Sequence, residues 1–142
     1  MKHLIDPMDL TKEETLEIIA LAEDIIAHRE RYQGSMSHKK LATLFYEPST
    51  RTRSSFELAG KYLGADVVNI TAGTSSIVKG ESLRDTLYTV EAMGVDAIVM
   101  RHKAEGAAEY ASKVVSPVII NAGDGAHAHL PLPSRPRPSE SR

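Results

Sequence analysis

Four short runs of strand-forming residues recur along the chain, separated by segments with helical spacing. The runs cover residues 41–46, 66–70, 96–100 and 118–120. Between them, Phe56, Ala59 and Leu63 share one helical face before a stop at Gly64. Leu83, Leu87 and Val90 mark a second helix that ends at Gly94, and an alanine-rich helix covers about 104–113. A helix between consecutive strands returns the chain in the same direction through a right-handed crossover, and leaves helices on both faces of the sheet. The pattern therefore predicts an α/β fold, a four-stranded parallel sheet flanked by helices. A further helix precedes the first strand. Thr11 and Glu14 form a capping box, and Glu13, Glu14 and Glu17 place negative charge at the helix start. Leu16, Ile18, Ile19, Leu21, Ala22, Ile25 and Ile26 make its apolar stripe. At 142 residues the chain can bury roughly 70% of its unfolded surface, enough for a real core.

Charge and composition exclude several function classes. The formal net charge is −2, which speaks against a general nucleic-acid binder. There is no cysteine, so disulfides and thiolate metal sites are ruled out. No apolar run approaches the roughly 18 residues of a membrane span, and Met1 to Pro7 lack the apolar stretch of a signal peptide. A cytoplasmic location is expected. After Gly125 the character changes: four of the seven prolines lie between Pro131 and Pro138, which disfavours helix and central strand alike.

The chemistry concentrates at predicted strand ends. Ser49-Thr50-Arg51-Thr52-Arg53 sits at a strand-to-helix turn, where open α/β sheets take their ligands. Helix-terminal N–H groups, three hydroxyls and a guanidinium suit a phosphate there. A plain helix cap by Ser49 or Thr50 with two solvated arginines is the simpler alternative. Arg53 stands four residues before Glu57, so an intrahelical ion pair accounts for it. The loop at 71–81 carries one lysine between glycines and reads as an anion-binding lid or as a solvated connection. It is not a P-loop, because Val78 stands before Lys79 and Gly80 after it. No GxGxxG follows a strand. Arg101-His102 lies just past the third strand. His127 and His129 follow the last one, and with no third ligand at suitable spacing a metal site is not expected. Cationic and hydroxyl groups thus converge on one crevice, as a small dianion with a polarisable carbonyl requires.

These residues also carry a resemblance. Phe45-Tyr46-Glu47-Pro48-Ser49-Thr50-Arg51-Thr52-Arg53-Ser54-Ser55-Phe56-Glu57 closely resembles the carbamoyl-phosphate signature of aspartate and ornithine carbamoyltransferases. The stretch from Lys79 to Thr86 is similar to the same superfamily. Val95 to His102, Asn121 to Gly125, and His3-Leu4-Ile5 with Asp9-Leu10-Thr11 resemble aspartate carbamoyltransferase catalytic chains. The resemblance runs from about residue 2 to His129. It implies transfer of the carbamoyl group from carbamoyl phosphate to the amine of L-aspartate in pyrimidine synthesis. It further implies that Ser49, Thr50, Arg51 and Thr52 hold the phosphate, which Arg101 also reaches. Thr52, Arg101 and His129 would hydrogen-bond the carbamoyl oxygen. Ser75 and Lys79 would reach a neighbouring subunit's site, so a homotrimer or higher oligomer is implied, with a regulatory chain as a candidate further partner. No metal and no cofactor are implied.

The resemblance stops inside a motif. The family continues after the matching histidine with Pro-Thr-Gln, whereas His129 is followed by Leu130-Pro131-Leu132. The glutamine that contacts the carbamoyl amide falls at Leu132. The expectation is a carbamoyl-phosphate-binding domain over residues 1–129 and a non-family tail over 130–142, like a frameshifted reading, with the aspartate-binding domain absent. Such a chain is expected to be inactive alone. A non-catalytic oligomerisation module and a fragment of an ornithine carbamoyltransferase are the alternatives.

Overall fold

The computed structural model describes residues 3–71 and 82–123. After a single 3-10 turn at Pro7–Asp9 come α1 (Lys12–Ala27), α2 (Arg29–Tyr32), β1 (Lys40–Phe45), α3 (Thr50–Tyr62), β2 (Asp66–Thr71), α4 (Leu83–Ala92), β3 (Ala97–Arg101), α5 (Ala107–Val114) and β4 (Val118–Gly123). All four strands pair in parallel, in the order β2-β1-β3-β4. The expected four-stranded parallel sheet with flanking helices is the one observed. No described helix is long and apolar enough to cross a membrane.

One face of the sheet carries the main core. Ala42 and Leu44 of β1, Ile98 and Met100 of β3, and Ile119 of β4 pack against Leu87 and Val90 of α4 and Ala107, Ala108 and Ala111 of α5. Full burial of each large aliphatic side chain contributes about 1.5–3 kcal/mol. Helix α3 lies across β1 and β2 on the other face. It comes close because its only buried residue is Gly60: a Cβ there would stand 3.0 Å from Val67 Cγ2 and 3.2 Å from Leu41 Cδ2. Beside α3 this face is left as an apolar groove of about 500 Å³, bordered by Met36, Leu41, Phe56, Val99, Val118 and Ile120.

Three features depart from the sequence reading. Helix α1 starts where its capping box says, with Thr11 Oγ1 accepting from Glu14 N–H at 3.1 Å and Glu14 Oε1 accepting from Thr11 N–H at 3.0 Å. Its apolar stripe is exposed, however, and none of its residues is buried. A helical period specifies an apolar face but not the surface that covers it. Helix α5 begins at Ala107 rather than near 104, because Gly106 is its N-cap in the left-handed region at φ 81°. Finally, an N-terminal segment lies along the outer edge of β4. Leu4 bridges Ile120 in parallel, His3 Nδ1 accepts from Ile119 N–H at 2.9 Å, and Asn121 Nδ2 donates to Ile5 O at 2.9 Å.

Candidate functional site

The strand order creates one crevice. From β1 the chain moves outward to β2, then crosses back past β1 to β3. The connections leaving β1 and β3 therefore diverge to opposite sides, and their carboxyl ends frame the switch point where such sheets bind ligands. The turn after β1 carries Ser49 and opens α3. Arg101 is the last residue of β3.

Arg101 joins these ends. Its Nη1 donates to Ser49 Oγ at 3.2 Å and to Ala122 O of β4 at 3.4 Å. Its Nε lies 3.7 Å from Glu47 Oε2. One guanidinium thus spans the ends of β1, β3 and β4, with its side chain 23% exposed. Next to it, the His102 ring packs on Tyr46 with centroids 4.4 Å apart, and His102 Nδ1 accepts from Ala104 N–H at 2.9 Å.

The start of α3 has no side-chain cap among the described residues. Ser49 occupies the N-cap position but makes no side-chain cap; its hydroxyl is engaged by Arg101 instead. The plain-cap alternative is therefore not what the structure adopts at Ser49. Uncapped first-turn amides with the positive end of the helix dipole suit an anion. Thr50 and Arg51 are exposed and Thr52 is half-buried. Arg51 has no ion pair with a described residue, whereas Arg53 Nη1 reaches Glu57 Oε1 at 3.2 Å, the pairing its spacing predicts. Thr50, Arg51 and Thr52 thus share one turn with no acidic partner among the described residues, next in sequence to Ser49, which the Arg101 guanidinium engages.

Of the sequence-predicted site residues, Arg101 contacts Ser49, and Thr50, Arg51 and Thr52 follow Ser49 in the first turn of α3. Ser75, Lys79 and His129, together with the tail 130–142, lie outside the described residues. No cluster of three or more metal-ligating side chains occurs among the described residues. Sequence reasoning did not single out Glu47 or the Ala122 carbonyl, both partners of Arg101. Glu47 was readable as an acid just before the cationic turn; the carbonyl has no side-chain signal.

Comparison with known proteins adds an independent line. A family model described as the carbamoyl-P binding domain of aspartate/ornithine carbamoyltransferase matches residues 2–132. The aspartate carbamoyltransferase catalytic subunit of Desulforamulus reducens is 52% identical over 131 residues, covering 90% of this chain and 42% of that protein. The corresponding subunit of Corynebacterium diphtheriae is 50% identical over 141 residues, covering 91% and 44%. Among solved structures, the catalytic subunit of M. jannaschii aspartate transcarbamoylase superposes with a TM-score of 0.81 at 49% identity, over 91% of this chain and 43% of that one. The aspartate transcarbamoylase of Trypanosoma cruzi, in complex with carbamoyl phosphate and aspartate, gives 0.80 at 35% identity, over 88% and 39%. The chain thus spans less than half the length of the relatives it matches.

Proposed function

The chain belongs to the aspartate/ornithine carbamoyltransferase family, and on that premise we propose that residues 1–129 form the carbamoyl-phosphate-binding unit of an aspartate carbamoyltransferase catalytic chain. The family model ends at residue 132, and residues 133–142 are assigned to no family element. The reaction joins the amine nitrogen of L-aspartate to the carbamoyl carbon and breaks that carbon's bond to the phosphate oxygen, giving N-carbamoyl-L-aspartate and phosphate.

The observation that carries this reading is the bond from Arg101 to Ser49 across the switch point. It sets a guanidinium beside an uncapped helix start, as a phosphate attached to a carbonyl requires. On this reading Ser49, Thr50, Arg51 and Thr52 hold the phosphate with the first amides of α3. Arg101 reaches both the phosphate and the carbonyl oxygen. Thr52, Arg101 and His129 stabilise the charge that develops on that oxygen as the amine attacks. Catalysis is positioning and charge stabilisation, and the proposal includes no metal or cofactor. Ser75 and Lys79 complete a neighbouring subunit's site, which makes the working assembly a homotrimer or larger, in the cytoplasm, with a regulatory chain as a further candidate partner. None of the assigned groups holds aspartate, so the 142-residue chain assayed alone is expected to give no turnover.

The test is calorimetric titration of inorganic phosphate and carbamoyl phosphate into the 142-residue chain. Arg51→Ala removes a bidentate, charge-assisted contact and should weaken binding about a hundredfold or more. Equal binding by parent and variant would remove the turn from the site.

A further inference from the structure

The end of β4 departs from a regular ladder. Bonds between parallel strands are evenly spaced, and those from one strand to its neighbour recur every second residue. Val118 N–H donates to Asp96 O at 3.1 Å, and the register then runs unbroken from Ala97 opposite Val118 to Met100 opposite Asn121. Continued two residues at a time, that pattern would send His102 N–H to Ala122 O. Instead, Arg101 pairs with Gly123, and His102 N–H donates to Gly123 O at 2.8 Å. Ala122 is thus an extra residue, a one-residue bulge. Its carbonyl, released from the ladder, accepts from Arg101 Nη1 at 3.4 Å.

One half-buried side chain holds the bulge. Asn121 Oδ1 accepts from Gly123 N–H at 2.9 Å, and its Nδ2 donates to Ile5 O at 2.9 Å. Both partners are backbone groups, so the amide has one orientation: an N–H must meet Oδ1 and a carbonyl must meet Nδ2. The bond to the N–H two residues on bends the chain as an Asx-turn does. The bond to Ile5 anchors the side chain to the N-terminal segment, which is itself tied to β4 by Leu4 N–H to Ile119 O at 2.9 Å and Asn121 N–H to Leu4 O at 2.8 Å. Gly123 stands at φ 146°, where a residue with a side chain would be strained. The consequence falls on Arg101. Ser49 and Glu47 approach its guanidinium from the turn after β1, and Ala122 O approaches it from β4. Ser49 and Ala122 both take Nη1, Nε faces Glu47, and Nη2 has no partner among the described residues. Without the β4 contact the guanidinium is held from the β1 side alone, where Glu47 competes with an anion for it.

We propose that Asn121 is a positioning residue for Arg101. By pinning the bulge at the end of β4, it makes the Ala122 carbonyl a seat for the guanidinium and keeps Nη2 for the anion. What the site binds rests on the function proposed above; the hold of Asn121 on the bulge does not.

The experiment combines calorimetric titration of inorganic phosphate into the 142-residue chain, well below its melting temperature, with hydrogen exchange of the His102 and Gly123 amides in the absence of phosphate. Asn121→Ala should lower phosphate affinity about three- to tenfold and speed exchange of both amides. Asn121→Ser keeps a weaker acceptor for the Gly123 N–H and should recover part of each. Adding Asn121→Ala to Arg101→Lys should change affinity little more, as expected if Asn121 acts through the guanidinium. His3→Ala is the structural control. It removes the acceptor for Ile119 N–H and loosens the same N-terminal segment without touching the bulge, so it should lower the melting temperature and leave affinity alone. An equal loss of affinity in His3→Ala and Asn121→Ala, or additive losses in the Arg101→Lys pair, would overturn the positioning role. So would parent-like affinity in Asn121→Ala while Arg51→Ala still weakens binding, and the anion site would then stand without it. Phosphate binding indifferent to Arg51→Ala would overturn the anion site instead, and with it the purpose assigned to the bulge, even where Asn121→Ala speeds exchange.

Discussion

Glu57 shows how much one side chain can be asked to do at the edge of a site. The Lys61 ammonium hydrogen-bonded to it lowers its carboxyl pKa most; partial burial pulls the other way, and Asn69 and Arg53 add to the lowering. A carboxyl whose pKa is lower in the folded than in the unfolded chain stabilises the fold fully above the unfolded value. That contribution disappears as pH falls through the folded value. The destabilisation caused by Glu57→Gln should therefore be largest near neutrality and shrink as pH drops below the ordinary carboxylate range. Urea unfolding of parent and variant at a series of pH values measures it; a difference that stays constant with pH would show that the ionised form has no special part. At this scale the sequence was informative only over short spans. The Arg53–Glu57 pair follows from a four-residue spacing on a helix. The Thr43–Asn69 bond joins residues 26 apart and exists only once strand register is set, so no one-dimensional pattern contains it. Arg101 is intermediate: its place past a strand end was readable, but Ser49 as its partner required the strand order.

Among the elements, helix α3 separates what packing demands from what composition suggests. Leu58 is 68% exposed, whereas Gly60, two residues on, is buried. By propensity alone, glycine in a helix interior costs about 1 kcal/mol relative to alanine. It stands here because the sheet is too near for a larger side chain. Gly60→Leu must push α3 from Val67 and Leu41, which should cost about 1–3 kcal/mol and weaken phosphate binding by tilting the turn. Leu58→Ala should change stability by no more than about 0.5 kcal/mol. Chemical denaturation of the two variants checks the contrast, and a neutral Gly60→Leu would contradict the close approach. Element positions were largely legible, since apolar periods and the Thr11 box mark them. The boundaries that moved have local causes. Gly106 in the left-handed region delays α5, and β4 runs on to Gly123 because Arg101 pairs with it across an irregularity in the register.

For the molecule as a whole, the two faces of the sheet are unequal. The face under α4 and α5 is closed by interdigitating aliphatic side chains, while the α3 face keeps an apolar groove. Helix α1 adds Leu16, Ile18, Ile19, Leu21 and Ile26 to the exposed apolar surface, Ile26 being 75% exposed. Alternating strands and helices foretold covered faces, and that rule is met only in part. The order β2-β1-β3-β4 was not legible either, although the convergence of cationic groups at strand ends was, because every parallel strand delivers its exit to the same edge. Apolar surface on this scale drives association in water, so the 142-residue chain should sediment as a concentration-dependent oligomer. The effect should trace to α1, because five of its large apolar side chains, from Leu16 to Ile26, are exposed. Replacing Ile19 and Ile26 together by glutamate should shift sedimentation toward monomer, yet change unfolding free energy little, since neither side chain is buried. Leu44→Ala, in the closed face, should instead cost about 2–5 kcal/mol without changing the association of the folded protein. Neighbouring subunits share the proposed site, whereas the stripe contains none of its residues, so saturating carbamoyl phosphate should strengthen association in the parent and in the Ile19, Ile26 double variant alike. Association indifferent to carbamoyl phosphate would leave α1 as the whole of the contact and would remove the neighbouring subunit from the site that carries Ser49 and Arg101.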